Sequence, residues 1–404
     1  MTMSLTKKKQ KTITVHPDWA RLPCHLLDLI LEKLESFKDI LRFYGVCVSW
    51  NSIVKHNKTK CLMKTSHQVP MLMVPNRKQH TWDMYDPMTN KFKEISKLHI
   101  PYDKRFGGSS QGWLVTVNRD FTVTLYKPYS TDHDSAIINL PCLFPPEVED
   151  GDLEGLEDMR EYCDQHIYKA TITADPLINP NDYMVVVIYL HCWKIAIISP
   201  GRDNIWRKID PDEEIFSDIL FNSNKFYFLN HNHDTLSSYD SREPYCGTKV
   251  TWNNSDNWFG IKSYIVKSFE GDILQVLRRC EWKDSLTIRR TTKVNIFKLD
   301  FVDGGVKRVI VKSLGDAALF LGDNSSIYVR ASNFLGCKSN CIYFSHDTDL
   351  ISYGPQGVPC DCGIYNLGDN SYKKFTLLLD DEESTIISKM EAQPPIWIQP
   401  ILNL

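Results

Sequence analysis

No stretch of this 404-residue chain approaches the roughly 20 consecutive apolar residues that would span a bilayer. The longest apolar run, Met184 to Leu190, has the length of a buried strand. The N-terminus lacks the apolar core of a secretory leader, so an intracellular protein is expected, in the cytoplasm, the nucleus or both. Charge of neither sign dominates: the net charge of -3 gives no general pull toward nucleic acid or an acidic membrane. A Walker-type P-loop, a dinucleotide fingerprint and RNA-type interleaving of basic and aromatic residues are all missing, which removes those nucleotide and nucleic-acid readings. No helical stripe is sustained beyond residue 60. The 12 cysteines are scattered through a large chain without a secretion signal, and are expected as reduced thiols. The sequons at Asn57, Asn253 and Asn324 are then chance matches.

Helical signals are concentrated near the N-terminus. Leu22-Pro23 opens a first helix, because proline's missing N–H had no partner in a first turn. Leu27, Ile30, Leu31 and Leu34 then fall at the helical period, and Leu26 and Leu29 widen the apolar surface beyond that stripe. Ser36 and Asp39 have capping-box-like spacing ahead of Ile40, Leu41 and Phe43. Gly45 ends that helix, and Val46, Trp50, Ile53 and Val54 predict a third stripe. A bundle of about 40 residues buries too little surface to stand alone. It is either a cap packed on the main domain or a module that docks on a partner.

The combination Trp19, Leu22-Pro23, Leu27, Ile30, Leu34, Asp39, Val46-Cys47 and Trp50 resembles the F-box pattern, with its Leu-Pro opening and Val-Cys-x-x-Trp close. The resemblance implies binding to the Skp adaptor of a cullin–RING ubiquitin ligase. It assigns Leu22, Pro23, Leu27, Ile30, Leu34, Val46 and Trp50 to the motif that makes or supports that contact, some of them as internal core. Residues 1–15 read as a disordered basic tail, 16–57 as the F-box and 65–404 as the second domain. Lys7 to Lys11 is either a nuclear-localisation patch or part of a solvated tail.

From about residue 65 onward the chain reads as strands. The runs at 184–190, 194–200, 225–230, 272–279 and 341–347 are rich in β-branched and aromatic residues and are punctuated by Asn, Asp, Gly and Pro. A recurring unit, an aromatic or aliphatic pair followed by a turn and a basic-apolar strand, occurs at 84–95, 125–141, 197–209, 238–244, 296–311 and 364–375. Tyr85 and Tyr126, like Ile198 and Tyr239, lie one propeller-repeat length apart, about 40–45 residues. The pattern predicts a β-propeller of six or seven blades, with ordinary hairpin recurrence as the alternative.

Gly112-Trp113-Leu114-Val115, Asn139-Leu140-Pro141, Lys225-Phe226-Tyr227, Phe297-Lys298-Leu299-Asp300, LGDAALFLG (314–322), NCIYF (340–344), Gly363-Ile364-Tyr365 and PPIW (394–397) resemble the KIB-type β-propeller of plant F-box proteins. Lys127-Pro128 departs from the Asn-Pro expected of that family, which would weaken an Asx-type turn. The expected fold class is therefore α+β multidomain: a small three-helix F-box followed by an all-β propeller.

Several constellations have the outline of chemistry. GSSQG (108–112) has the form of a nucleophile elbow around Ser110, but a strand-like segment follows where a helix is required, so it reads as a glycine-rich turn. Cys337, Cys341, Cys360 and Cys362 with His346 lack the usual zinc spacings, and Cys341 sits in an apolar strand pattern. The acidic segment 145–164 lacks EF-hand order and reads as a solvated loop, with partner contact as the alternative. Trp252, Trp258 and Phe259 are candidate target-binding aromatics, against packing between blades. No catalytic residue, metal or cofactor is expected.

The resulting expectation is a non-catalytic substrate receptor of a Skp–cullin–F-box ligase with an unknown target protein. The alternatives are an adaptor-binding protein without a degradation role and a small-molecule-binding or enzymatic propeller. The last needs polar side chains converging on the propeller axis, and no such cluster can be assembled from the sequence.

Overall fold

The computed structural model describes residues 19–34, 37–57, 69–76, 80–93, 100–102, 104–128, 136–143, 160, 163–190, 194–209, 214–243, 247–252, 260–283, 288–303, 305–324, 326–345, 347, 361–375 and 394–399. They fall in two units, built on Met1–Thr65 and Ser66–Asn403.

In the first unit a 3-10 turn, Trp19–Arg21, precedes α1 (Cys24–Lys33), α2 (Phe37–Tyr44) and α3 (Val48–His56). Pro23 is the residue before α1, and its carbonyl accepts the first helical hydrogen bonds, from Leu26 and Leu27 N–H. Leu27 and Leu31 of α1, Ile40 and Phe43 of α2, and Ile53 and Val54 of α3 are buried and form the unit's core. Asn57 Nδ2 donates to Asp28 Oδ1 at 2.7 Å, tying the end of α3 to α1. Val46 lies outside the third stripe: it precedes α3 and is exposed, and the buried face of α3 rests on Ile53 and Val54.

The second unit is a six-bladed propeller. The first blade combines Met71–Asn76, Thr81–Asp86 and Lys91–Lys93 with Ile396–Ile398 from the other end of the unit. Trp397 pairs with Leu72 across that junction, so the ring is closed by hydrogen bonds between the two ends of the domain. Closure of this kind removes the free edges that would otherwise expose unpaired backbone. Blades two to five are antiparallel sheets whose innermost strands are Gly108–Ser110, Ile167–Ile172, Phe216–Asn222 and Ile261–Lys267. Middle strands such as Trp113–Val117 and Val185–Tyr189 are buried throughout, whereas the outermost Lys91–Lys93 is fully exposed. This gradient explains why middle strands read as continuous apolar runs.

The sixth blade departs from that order. Its chain enters at Ala317–Leu321, turns inward to Ser326–Arg330, then crosses back so that Cys341–Phe344 pairs parallel with Ala317–Leu321. Two of the family-like segments meet here: Trp397 Nε1 donates to Leu321 O at 2.8 Å, and the Trp397 and Phe320 rings pack edge to face. A Cβ at Gly322 would lie 2.6 Å from Ser345 Oγ and 3.1 Å from Trp397 Cδ1, so this close approach requires glycine.

Each of the six recurring sequence units contributes the outer part of a different blade. Asp86, Asp240 and Asn366 accept from the N–H two residues on, forming Asx-type turns. At the corresponding place Lys127 is buried instead and reaches the next blade, where its Nζ lies 2.5 Å from Asp175 Oδ2. Asp175 also accepts from Trp113 Nε1 at 3.0 Å. The departure at Lys127 thus exchanges a local turn contact for a buried clip between blades two and three.

Candidate functional site

The helical unit carries more apolar surface than its own core consumes. Trp19, Leu26, Leu29, Val46 and Val48 are all exposed, as is Pro23. Of the residues assigned to the motif, Leu27 is wholly internal, Leu22, Ile30 and Leu34 are half-buried, and Pro23 and Val46 face outward. Trp50 is half-buried, with its ring 4.4 Å from that of Phe43 and its Nε1 donating to Trp19 O at 3.0 Å. Ser49 Oγ donates to Ala20 O at 3.1 Å. The last helix therefore holds the Trp19 turn in place, and Trp50 acts as a strut as well as partly exposed surface.

On the propeller, Trp252 is half-buried against the cluster of Tyr227, Leu229 and Leu236. Its Nε1 donates to His233 O at 3.1 Å, and the Arg308 guanidinium sits 5.8 Å from its ring centroid. Trp258 and Phe259 lie outside the described residues. Ser110 ends a strand whose hairpin turn is Gln111-Gly112, both with positive φ, and its Oγ donates to Ile172 O at 3.0 Å. That is the two-residue turn of a β-hairpin, without a following helix.

Cys341 and Cys362 are buried, and burial pushes the half-buried Cys337 thiol up to about 11. Cys360 and His346 lie outside the described residues, among which no group of three or more potential ligands is disposed to hold a metal. Asp164, at the end of the acidic segment, is not a solvated loop residue. Its Oδ2 accepts from Arg105 N–H at 2.5 Å, and burial raises its pKa. Asn324 is 3% exposed and its amide is engaged internally, which excludes glycosylation of the folded protein there.

The propeller axis holds the polar convergence that the sequence did not reveal. Lys169 Nζ lies 2.8 Å from Asp218 Oδ1, and both side chains are buried. Asp218 Oδ2 accepts from Ile265 N at 2.8 Å and Ser326 Oγ at 3.3 Å, so one carboxylate joins blades three, four, five and six. Arg105 complements it: its guanidinium bonds Ile167 O and Asp323 Oδ2, linking blades two, three and six. To one side of the Lys169–Asp218 pair is a water-sized space of about 20 Å³ bordered by His233, Ser263, Tyr264 and Asp347. To the other is a cavity of about 180 Å³ bordered by hydroxyl and amide side chains. Burial pushes the His233 imidazole down to about 3, helped by neighbouring His231. Burial likewise raises the Tyr264 phenol, so neither side chain carries charge near neutrality.

Residues 84–366 match the family described as the KIB1-4 beta-propeller. The chain belongs to this family. The KIB1-4 propeller accounts for the match from the first blade to the outer strands of the sixth. Along nearly its whole length the chain is also similar to the F-box protein SKIP23 of Arabidopsis thaliana, with 25% identity covering 94% of this chain and 95% of the relative. Two further F-box proteins of that plant are 25% and 24% identical, covering 81% and 94% of this chain and 95% of each relative. The three-helix unit ahead of the KIB1-4 propeller is thus an F-box.

Proposed function

We propose that the chain is the substrate-recognition subunit of a Skp–cullin–F-box ubiquitin ligase, acting in the cytoplasm or nucleus. The helical unit binds the Skp adaptor, and through it the cullin–RING assembly, while the propeller holds a target protein. The observation that carries this reading is the set of exposed apolar residues, Trp19, Leu29, Val46 and Val48, on a unit whose core is formed by other residues, among them Leu27, Ile40 and Val54. Apolar surface of this kind marks a docking face. The chain's contribution to ubiquitin transfer is proximity: tethering a target near the charged conjugating enzyme raises effective concentration without a catalytic residue here.

The test is to express the wild type and a Pro23→Ala, Val46→Asp variant in cells and measure the half-lives of proteins that co-purify with both. The reading predicts at least one shared partner that is short-lived with the wild type and stabilised with the variant. Unchanged half-lives for every shared partner would instead support an adaptor-binding role without degradation.

A further inference from the structure

The larger axial cavity is a built pocket. Its floor is the Lys169–Asp218 pair, both partners 4% exposed, and Gln111 at its border is exposed to solvent. Between them, Ser109, Ser110, Thr171 and Ser326 line the wall with hydroxyls, groups that both donate and accept. Asn324 also lines it. Its Nδ2 is committed to Phe106 O, while its buried Oδ1 has no hydrogen-bond partner among the described residues.

The charge balance selects the class of ligand. The cation and anion on the floor neutralise each other at 2.8 Å, and Asp218 already accepts from blades four, five and six. A charged ligand would have to displace one partner from a buried pair, which is costly. An uncharged ligand with several hydroxyls can exchange hydrogen bonds with the hydroxyl-lined wall. The volume of about 180 Å³ slightly exceeds that of an engineered cavity known to hold benzene, which sets the ligand at about six to ten non-hydrogen atoms.

We propose that the axial pocket of the propeller binds an uncharged small polyol between the Lys169–Asp218 floor and the Gln111 rim. This site is built from propeller residues alone and does not depend on ligase function.

Polyols stabilise most proteins by exclusion from their surfaces, so a raised melting temperature would not establish binding. The experiment is saturation-transfer NMR and calorimetric titration of the full chain with glycerol, erythritol and xylitol, and with erythronate as a charged analogue. Two variants accompany it: Thr171→Val, which removes a wall hydroxyl at constant shape, and Ser109→Leu, which fills the space. The expected result is saturable binding of at least one polyol, weakened tenfold or more in Thr171→Val, with erythronate binding more weakly than erythritol. Absence of saturable binding for all three polyols would reduce the pocket to a water-filled channel and overturn the proposal. So would equal affinity for wild type and a folded Thr171→Val, or preference for erythronate. The Thr171→Val comparison decides the matter whether or not Ser109→Leu folds.

Discussion

Asp218 accepts hydrogen bonds from Lys169, from its neighbour Ile219 N–H, from Ile265 N–H and from Ser326 Oγ, and the Lys169–Asp218 pair is almost wholly withdrawn from solvent. The cost of burying this carboxylate is offset by hydrogen bonds from several blades. Removing its charge leaves Lys169 buried and unpaired. Asp218→Asn should destabilise the propeller by about 3–5 kcal/mol, read as a lower urea midpoint. Lys169→Met in the same background should recover part of that loss, because it removes the orphaned ammonium. A single Asp218→Asn within about 0.5 kcal/mol of wild type would contradict this account of the axis.

His233 supplies a pH dependence of definite sign. Its folded pKa of about 3 lies below the ordinary value of 6.5, so between those limits the unfolded chain holds a proton that the folded chain refuses. Stability therefore rises with pH through that window and is lost on acidification, by about 1.4 kcal/mol per pH unit well inside it. Burial raises Asp164 and Asp323 above 3.8, and these contribute the opposite sign near the acid end. The comparison is consequently made between wild type and His233→Asn, a residue that tolerates the left-handed backbone at this position (φ 60°). From pH 6.5 to 4.5 the wild type should lose about 2 kcal/mol more than the variant, as measured by urea titration at each pH. Parallel curves would show that His233 does not titrate in this way.

Trp252 is packed between blades four and five rather than presented freely to solvent. Trp252→Ala should lower stability by about 2–3 kcal/mol through lost packing and the lost bond to His233 O. A variant with unchanged stability that no longer captured partners from cells would instead make Trp252 a binding hot spot.

The legibility of this chain in its sequence was uneven for physical reasons. The outer hairpins were visible because Asp86, Asp240 and Asn366 build their turns locally and the flanking residues are strongly apolar. They gave one unit per blade, and the structure fixes the count at six. The inward turn and parallel pairing of the sixth blade had no local signal, because Ser326–Arg330 carries only the mixed polarity of a strand facing the axis. The axial cluster was missed for a related reason. Lys169 and Asp218 each look like a polar residue on a strand's solvent face, and only ring closure brings them together. Within the F-box, helical spacing put Leu27, Ile30, Leu31 and Leu34 on one stripe without separating core from surface, and it assigned Val46 to the third stripe although Val46 lies between helices and is exposed.

In the proposed role, the outward-facing residues of the F-box dock an adaptor while its inward-facing residues hold the unit together. The direct measurement is stoichiometric co-purification of the full chain with a Skp-type adaptor, comparing wild type, Pro23→Ala with Val46→Asp, and Trp50→Ala, each followed by urea unfolding. Wild type should form a stable complex. The double variant should lose binding at least tenfold with an unfolding midpoint close to wild type, because both side chains are exposed. Trp50→Ala should lose about 2 kcal/mol of F-box stability, because its ring packs on Phe43 and its N–H holds the Trp19 turn. A folded wild type that binds no adaptor, or a double variant that binds as tightly as wild type, would contradict that role and reduce the three helices to a structural cap.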